Sequence, residues 1–105
     1  MPDTDELLTR MRARGPNLRS LGYRIRFDLT DSETSLLLDG TGGEPSIEEA
    51  PADAAADTVL ALSSDDLAKL IAGRLSPMLA FATGKLKVEG SKGVALKLAS
   101  LLDED

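Results

Sequence analysis

The chain of 105 residues contains no cysteine and no histidine. Without cysteine there can be no disulfide, thiolate nucleophile or cysteine zinc site, and without histidine the commonest general base and metal ligand is missing. Aromatic residues make up only 3% of the sequence, namely Tyr23, Phe27 and Phe81, so the core must be aliphatic. No apolar run approaches the roughly 20 residues of a membrane span, and the acidic N-terminus lacks a signal-peptide core. We therefore expect a soluble, cytoplasmic protein without a metal or cofactor.

Acidic residues outnumber basic ones, and the net charge of −6 is unevenly distributed. Residues 1–26 carry a net charge of +3, residues 27–84 carry −9, and residues 85–105 are neutral. A mostly negative surface repels phosphate groups, which argues against a nucleic-acid partner. We expect any transient contact with an anionic membrane to use the N-terminal arginines, Arg10, Arg12, Arg14 and Arg19. A solvated helix and strand face is the simpler interpretation of the same charges.

Hydrophobic periodicity predicts a helix and then four strands in the first part of the chain. The helix is capped at Asp3, and the strand over residues 22–30 alternates apolar and polar side chains. Residues 33–40 are predicted to form its hairpin partner, and residues 46–50 a charged edge strand. Residues 58–63 form a continuous apolar run, which is typical of a central strand covered on both faces.

The second half of the chain is predicted to contain three helices and one strand. One helix is capped at Ser63 or Ser64 and ends at Gly73, and a shorter one begins at Ser76 and ends at Gly84. A strand over residues 85–89 and a last helix follow. Strands followed by clustered helices indicate an α+β fold. We expect a single domain over residues 1–105, with a mostly antiparallel five-stranded sheet and helices packed on one face.

The last helix is apolar over more than half of its circumference. Only Lys97 and Ser100 mark a polar side, whereas a surface helix of a small domain needs an apolar stripe of about 100° or slightly more. The surplus apolar surface must meet additional core, another subunit or a ligand.

The segment over residues 70–102, LIAGRLSPMLAFATGKLKVEGSKGVALKLASLL, resembles the C-terminal half of the sterol carrier protein type 2 family. The matching features are Gly73 with Arg74, Pro77, Ala80 with Phe81, the run from Gly84 to Val88, Gly90, Val94 with Ala95, and Lys97 with Leu98. In such domains, helices and sheet enclose an apolar tunnel for a lipid. The resemblance therefore implies a non-catalytic domain that binds or transfers a lipid. Because aromatic residues are scarce, an acyl or isoprenoid chain suits such a tunnel at least as well as a sterol.

The resemblance implies a lipid-binding wall of twelve apolar residues: Phe27, Leu67, Leu70, Ile71, Leu75, Met78, Leu79, Phe81, Leu86, Val88, Leu98 and Leu102. From their spacing we expect seven residues to lie in the interior between sheet and helices: Leu67, Ile71, Met78, Phe81, Leu86, Leu98 and Leu102. Leu60, in the apolar strand, is expected to be packed core whose truncation lowers stability more than lipid binding.

The alternative function is an accessory or protein-interaction module that uses the same apolar surface against a partner or in a homodimer. An enzyme is disfavoured, and no catalytic or metal-binding residue is assigned. The adjacent acids Asp65 and Asp66 do not face one another on a helix, and their place in its first turn is explained by the helix dipole.

Overall fold

The computed structural model describes residues 3–19, 21–42 and 44–103, and of these the side chains of residues 17, 102 and 103 are outside the description. The described helices are α1 (Thr4–Ala13), α2 (Ser64–Ile71), α3 (Pro77–Ala82) and α4 (Lys92–Asp103), with a 3₁₀ turn at Gly15–Leu18. The strands are β1 (Arg24–Leu29), β2 (Thr34–Asp39), β3 (Ser46–Ala50), β4 (Thr58–Leu62) and β5 (Lys87–Gly90). This order confirms the α+β class predicted from the sequence.

The five strands form one sheet in the order β3-β2-β1-β4-β5. Neighbouring strands are antiparallel except β1 and β4, which are parallel. The parallel pair arises because the connection between β3 and β4 carries the chain back across the sheet to the far side of β1. Arg26 fixes this connection, since its Nη1 donates to the carbonyl oxygen of Ala54 at 2.9 Å. The predicted hairpin of β1 and β2 and the edge position of β3 are confirmed.

The core lies between the helices and one face of the sheet. The strand register places Leu36, Phe27 and Leu60 side by side on that face, in β2, β1 and β4. Helices α1 and α2 bury their apolar stripes against it, and these contain Leu7, Leu8, Met11, Leu67, Leu70 and Ile71. Each fully buried aliphatic side chain contributes about 1.5–3 kcal/mol relative to leaving it exposed, so the aliphatic composition suffices for a core of this size.

Strand β4 lies between two other strands but is covered by helices on one face only. Leu60 and Leu62 are buried, whereas Val59 and Ala61, which point to the opposite face, are half-buried. The expectation that this run is covered on both faces is therefore wrong. The reason is that the helices pack on the other face, whereas this face carries Arg26, which lies opposite Val59 and holds the connection between β3 and β4 through Ala54.

The helix ends lie where the sequence places them. The N-caps of the first three helices are Asp3, Ser63 and Ser76. The Ser63 hydroxyl accepts a hydrogen bond from the backbone N–H of Asp66 at 3.1 Å, a contact typically worth about 1 kcal/mol. Gly73 and Gly84 follow α2 and α3 with φ of 75° and 79°. Glycine adopts this left-handed conformation without strain, so both residues stop their helices as predicted.

Candidate functional site

An apolar pocket of about 240 Å³ lies between α3, β5 and α4, with β4 at its floor. All but one of its lining residues are apolar: Leu60, Leu70, Pro77, Met78, Phe81, Leu86, Val88, Lys92, Ala95, Leu96, Leu98 and Ala99. The pocket is larger than the apolar cavity of about 150 Å³ that, in an engineered protein, binds benzene. It can therefore hold part of an apolar molecule while offering it almost no polar group.

Helix α3 forms the outer wall of the pocket and is attached to the rest of the domain by few contacts. It has six residues, of which only Ala80 is buried. The backbone N–H groups of Lys85 and Leu86 both donate to the carbonyl oxygen of Ala80, at 2.9 and 3.1 Å. These bonds turn the chain directly from α3 into β5, so that Leu86 is buried at the inner end of the pocket.

Two residues of α3 that were expected in the interior, Met78 and Phe81, are 69% and 49% exposed. The expectation is wrong for both, because the inner side of α3 lies over the pocket rather than over packed side chains. Both residues nevertheless line that pocket. Four members of the expected interior set are buried as predicted: Leu67, Ile71, Leu86 and Leu98. The remaining member, Leu102, falls outside the described side chains.

Helix α4 supplies the opposite wall, and its small residues leave the space open. Ala95 and Ala99 lie one turn apart on the pocket side, next to the buried Leu98. Leu96 also lines the pocket and is 55% exposed. Because the exposed lining residues come from α3 and α4, the mouth lies between these two helices. The structure thus shows a pocket with an open mouth and does not show the enclosed tunnel that the resemblance implies.

Six of the twelve residues predicted to bind lipid meet in this pocket: Leu70, Met78, Phe81, Leu86, Val88 and Leu98. Five others lie outside its lining: Phe27, Leu67 and Ile71 in the packed core, Leu75 half-buried against that core, and Leu79, which is 59% exposed. Leu102 again falls outside the described side chains. Contact of any of these residues with a lipid stays a prediction.

Sequence reasoning did not assign six residues that line the pocket: Leu60, Pro77, Lys92, Ala95, Leu96 and Ala99. Leu60 was expected to be packed core only. It is buried, but it also forms the pocket floor, because β4 runs beneath the gap between α3 and α4. A signal for the two alanines was present, since they recur four residues apart on the helix with surplus apolar surface.

Lys92 is the charged residue among those that line the pocket. Its Nζ lies 5.8 Å from the centroid of the Phe81 ring, within cation–π range. The N-terminal arginines contact the protein itself: Arg10 pairs with Glu6 at 2.6 Å, Arg19 with Glu44 at 3.5 Å, and Arg12 and Arg14 donate to the carbonyl oxygens of Ile47 and Ile71. Membrane contact through these arginines stays a prediction.

Two carboxylates with shifted pKa values lie outside the pocket lining, Asp31 in the turn after β1 and Asp39 at the end of β2. The hydroxyl of Ser64 donates to Asp31 at 2.6 Å, and this hydrogen bond lowers the pKa of Asp31. The hydroxyl of Thr41 lowers the pKa of Asp39 in the same way. The first contact ties the turn after β1 to the start of α2, and the second fixes the turn after β2, so both pKa shifts have a structural cause.

Within the described ranges, no group of three or more Asp and Glu side chains is arranged to hold a metal ion. None of the helices found in that part of the chain has the length and apolar character needed to cross a membrane.

The curated relatives of this protein are much longer chains, and each resembles it over only part of its own length. Hydroxysteroid dehydrogenase-like protein 2 of Xenopus laevis is 42% identical over 62 residues, which are 59% of this chain and 13% of that protein. The mouse protein of the same name is 36% identical over 83 residues, 78% of this chain and 16% of that one. The chain therefore spans about one-eighth to one-sixth of the length of these curated relatives.

Solved structures and a family profile agree on the fold. The palmitated SCP2L2 domain of Aedes aegypti superimposes with a TM-score of 0.75 at 17% identity, covering 98% of this chain and 96% of that one. At this identity the likeness establishes the fold alone. The profile of the SCP-2 sterol transfer family matches residues 4–103, which confirms the resemblance seen in the sequence. Because that match extends over nearly the whole chain, this protein belongs to the SCP-2 sterol transfer family, whose domains bind or transfer lipids.

Proposed function

We propose that this domain binds a single apolar chain of a lipid in the pocket between α3 and α4, without catalysing a reaction on it. The observation that carries the proposal is the pocket lining, in which eleven of the twelve residues are apolar. Among these lining residues there is no carboxylate or hydroxyl side chain that could act as a general base or nucleophile. The arrangement therefore suits a carrier better than an enzyme.

A flexible chain fits the pocket better than a rigid sterol does. A methylene group occupies about 30 Å³, close to the share of one water molecule in the liquid, so the pocket holds roughly eight methylenes. A longer chain can bend and continue through the mouth, where Met78, Phe81 and Leu96 offer further apolar contact. A fused ring system cannot bend in this way. The Aedes aegypti domain was solved in a palmitated form, which agrees with an acyl chain as the ligand class.

Lys92 gives the proposed ligand a preferred direction. Lys92 lines the pocket and its ammonium group lies near the exposed ring of Phe81, so it can meet an anionic headgroup while the chain lies inside. A fatty acid, whose carboxylate ends the chain, combines both features. We expect Lys92→Met to lower the affinity for a fatty acid but not for the fatty alcohol of equal length. Lys69→Met is the matched control, because Lys69 is exposed on α2 and does not line the pocket.

The deciding experiment is a chain-length series. Saturated fatty acids from about six to about eighteen carbons would displace a fluorescent fatty acid from the full chain. Each buried methylene contributes about 0.8 kcal/mol, so the affinity should rise about fourfold per methylene for short chains. Once roughly eight methylenes fill the pocket, the increments should become smaller. Affinity that is independent of chain length, or no binding at any length, would refute the proposal.

A second function is an interaction module that uses the same surface against another protein chain. The observation in its favour is that Met78, Leu79, Phe81 and Leu96 remain exposed, since a concentrated apolar patch is typical of an interaction site. Light scattering over a range of protein concentrations tests homodimerisation. A dimer that forms without lipid, combined with a negative chain-length series, would favour this second function.

A further inference from the structure

Unpartnered apolar surface is concentrated at the mouth of the pocket. Of the five large apolar side chains that are exposed in the described part of the chain, four belong to α3 and α4: Met78, Leu79, Phe81 and Leu96. We call these four residues the mouth patch. Three of them also line the pocket, whereas Leu79 does not. The exposure of Leu79 is therefore not explained by a ligand inside the pocket, and Leu79 extends the apolar surface beyond the mouth.

The charge of the chain is divided between the segment that contains the mouth patch and the remainder. Residues 67–102 contain six basic residues and one acidic residue, a net charge of +5, whereas the remainder contains six basic and seventeen acidic residues, a net charge of −11. Residues 67–88 contain no acidic residue at all. Lys85 lies three residues after the end of α3 and is exposed, and the Nζ of Lys92 lies 5.8 Å from the centroid of the Phe81 ring. Cations thus flank the mouth patch on a protein that is negative overall.

We infer that the mouth patch, together with Lys85 and Lys92, is the surface by which the domain docks on an anionic lipid bilayer. The apolar side chains would enter the interface while the ammonium groups meet the lipid headgroups. The negative remainder of the surface is repelled by the same bilayer, which orients the domain with the mouth towards the membrane. This inference rests on the proposed function, because such docking places the pocket opposite the source of its acyl chain.

A second copy of the chain is a poorer occupant of the mouth patch. A two-fold dimer brings identical surfaces together, so it would bring two patches that both carry Lys85 and Lys92 into one interface. Like charges that face one another oppose association. An anionic bilayer supplies both the complementary charge and the apolar interior, whereas the same patch on a second copy carries the same lysines.

Vesicle co-sedimentation of the full chain tests the inference. Vesicles of phosphatidylcholine alone are compared with vesicles that also contain phosphatidylglycerol, at low and high salt. We expect binding to the anionic vesicles only, weakened by salt because the attraction between lysines and headgroups is screened. Leu79→Gln should lower vesicle binding roughly fivefold, because a partly exposed leucine no longer enters the interface. It should leave the affinity for a fatty acid in solution unchanged, since Leu79 does not line the pocket.

A pair of charge reversals locates the surface. Lys85→Glu should lower binding to anionic vesicles roughly tenfold or more, since the loss of one basic residue near such a surface already costs about fivefold. Arg10→Glu makes the same change of charge on α1 and tests the competing prediction that the N-terminal arginines make the membrane contact. Because Arg10 is paired with Glu6, we expect this variant to change binding by less than about twofold. Denaturant midpoints of the variants, expected to match the parent, establish that each one is folded.

The outcomes separate docking from ligand binding. A chain that binds fatty acid but no vesicles overturns the docking inference and leaves the proposed function standing. A chain that binds anionic vesicles but no fatty acid overturns the proposed function. Equal binding to neutral vesicles, a larger loss for Arg10→Glu than for Lys85→Glu, or no effect of Leu79→Gln would each overturn the assignment of the mouth patch.

Discussion

Filling the pocket from α4 should raise the stability of the fold and lower its affinity for an apolar chain at the same time. Ala99 lines the pocket and is half-buried, so the three carbons added by Ala99→Leu enter space that is already empty. At about 0.8 kcal/mol per buried carbon they contribute about 2.4 kcal/mol. Restricting the leucine side chain costs about 0.5–1 kcal/mol, and leucine forms helices nearly as well as alanine. A net gain of about 1–2 kcal/mol in the free energy of unfolding is expected.

The same three carbons occupy room that a ligand would otherwise use. If three methylenes of the ligand can no longer be buried, the affinity falls about fourfold for each, or about 60-fold in total. Denaturant unfolding measures the first effect, and displacement of a fluorescent fatty acid measures the second. Opposite changes in stability and affinity are expected only where a substitution fills a real ligand pocket.

Leu36→Ala is the matched control, because Leu36 is fully buried in β2 and does not line the pocket. It should lower the free energy of unfolding by about 2–5 kcal/mol and leave the affinity of the folded protein within about twofold. Two results would refute the reasoning. A loss of about 1–3 kcal/mol in Ala99→Leu would show overpacking rather than free space, and an unchanged affinity would place the ligand elsewhere.

Three further predictions concern helix α3 at the pocket, a close backbone contact at Gly90 and the dependence of stability on pH below about 4. Met78→Ala should lower the affinity for a fatty acid several-fold but lower the free energy of unfolding by less than about 1 kcal/mol. The reason is that this exposed side chain lines the pocket without being packed. A larger loss of stability than of affinity would contradict this prediction. Gly90→Ala should lower the free energy of unfolding by about 1–3 kcal/mol. Gly90 has a φ of +86°, and a Cβ there would lie 2.8 Å from the carbonyl oxygen of Asp57. A denaturant midpoint equal to that of the parent protein would argue against this geometry. The hydrogen bond from Ser64 lowers the pKa of Asp31 below its ordinary value of 3.8, so its stabilising effect is complete above that pH and is lost as the pH falls through the lowered pKa. Asp31→Asn should therefore reduce the loss of stability that accompanies a fall in pH. If the free energy of unfolding falls with pH in the variant as it does in the parent protein, Asp31 makes no such contribution.

The sequence by itself determined the elements of this fold, because their signals are local. Asp3, Ser63 and Ser76 cap the helices that they were predicted to cap, since a side chain that bonds a backbone N–H three residues later needs no distant partner. The alternation of Ile25 with Arg26 fixes which face of β1 is buried for the same reason. The family resemblance depended on helix-ending glycines and apolar positions within one segment of the chain. The family match over residues 4–103 confirmed it.

Only the tertiary structure decided where the apolar pocket lies. The parallel pairing of β1 with β4 depends on the connection that crosses the sheet, and nothing within either strand specifies it. Met78 has the apolar character of a core residue but is exposed, because the gap beneath it is bounded by Ala95 and Ala99 of another helix. Leu60 meets that gap from a strand whose own pattern predicts only burial. An empty volume is set by the distances between elements that are far apart in the sequence, whereas periodicity records only which side of one element is apolar.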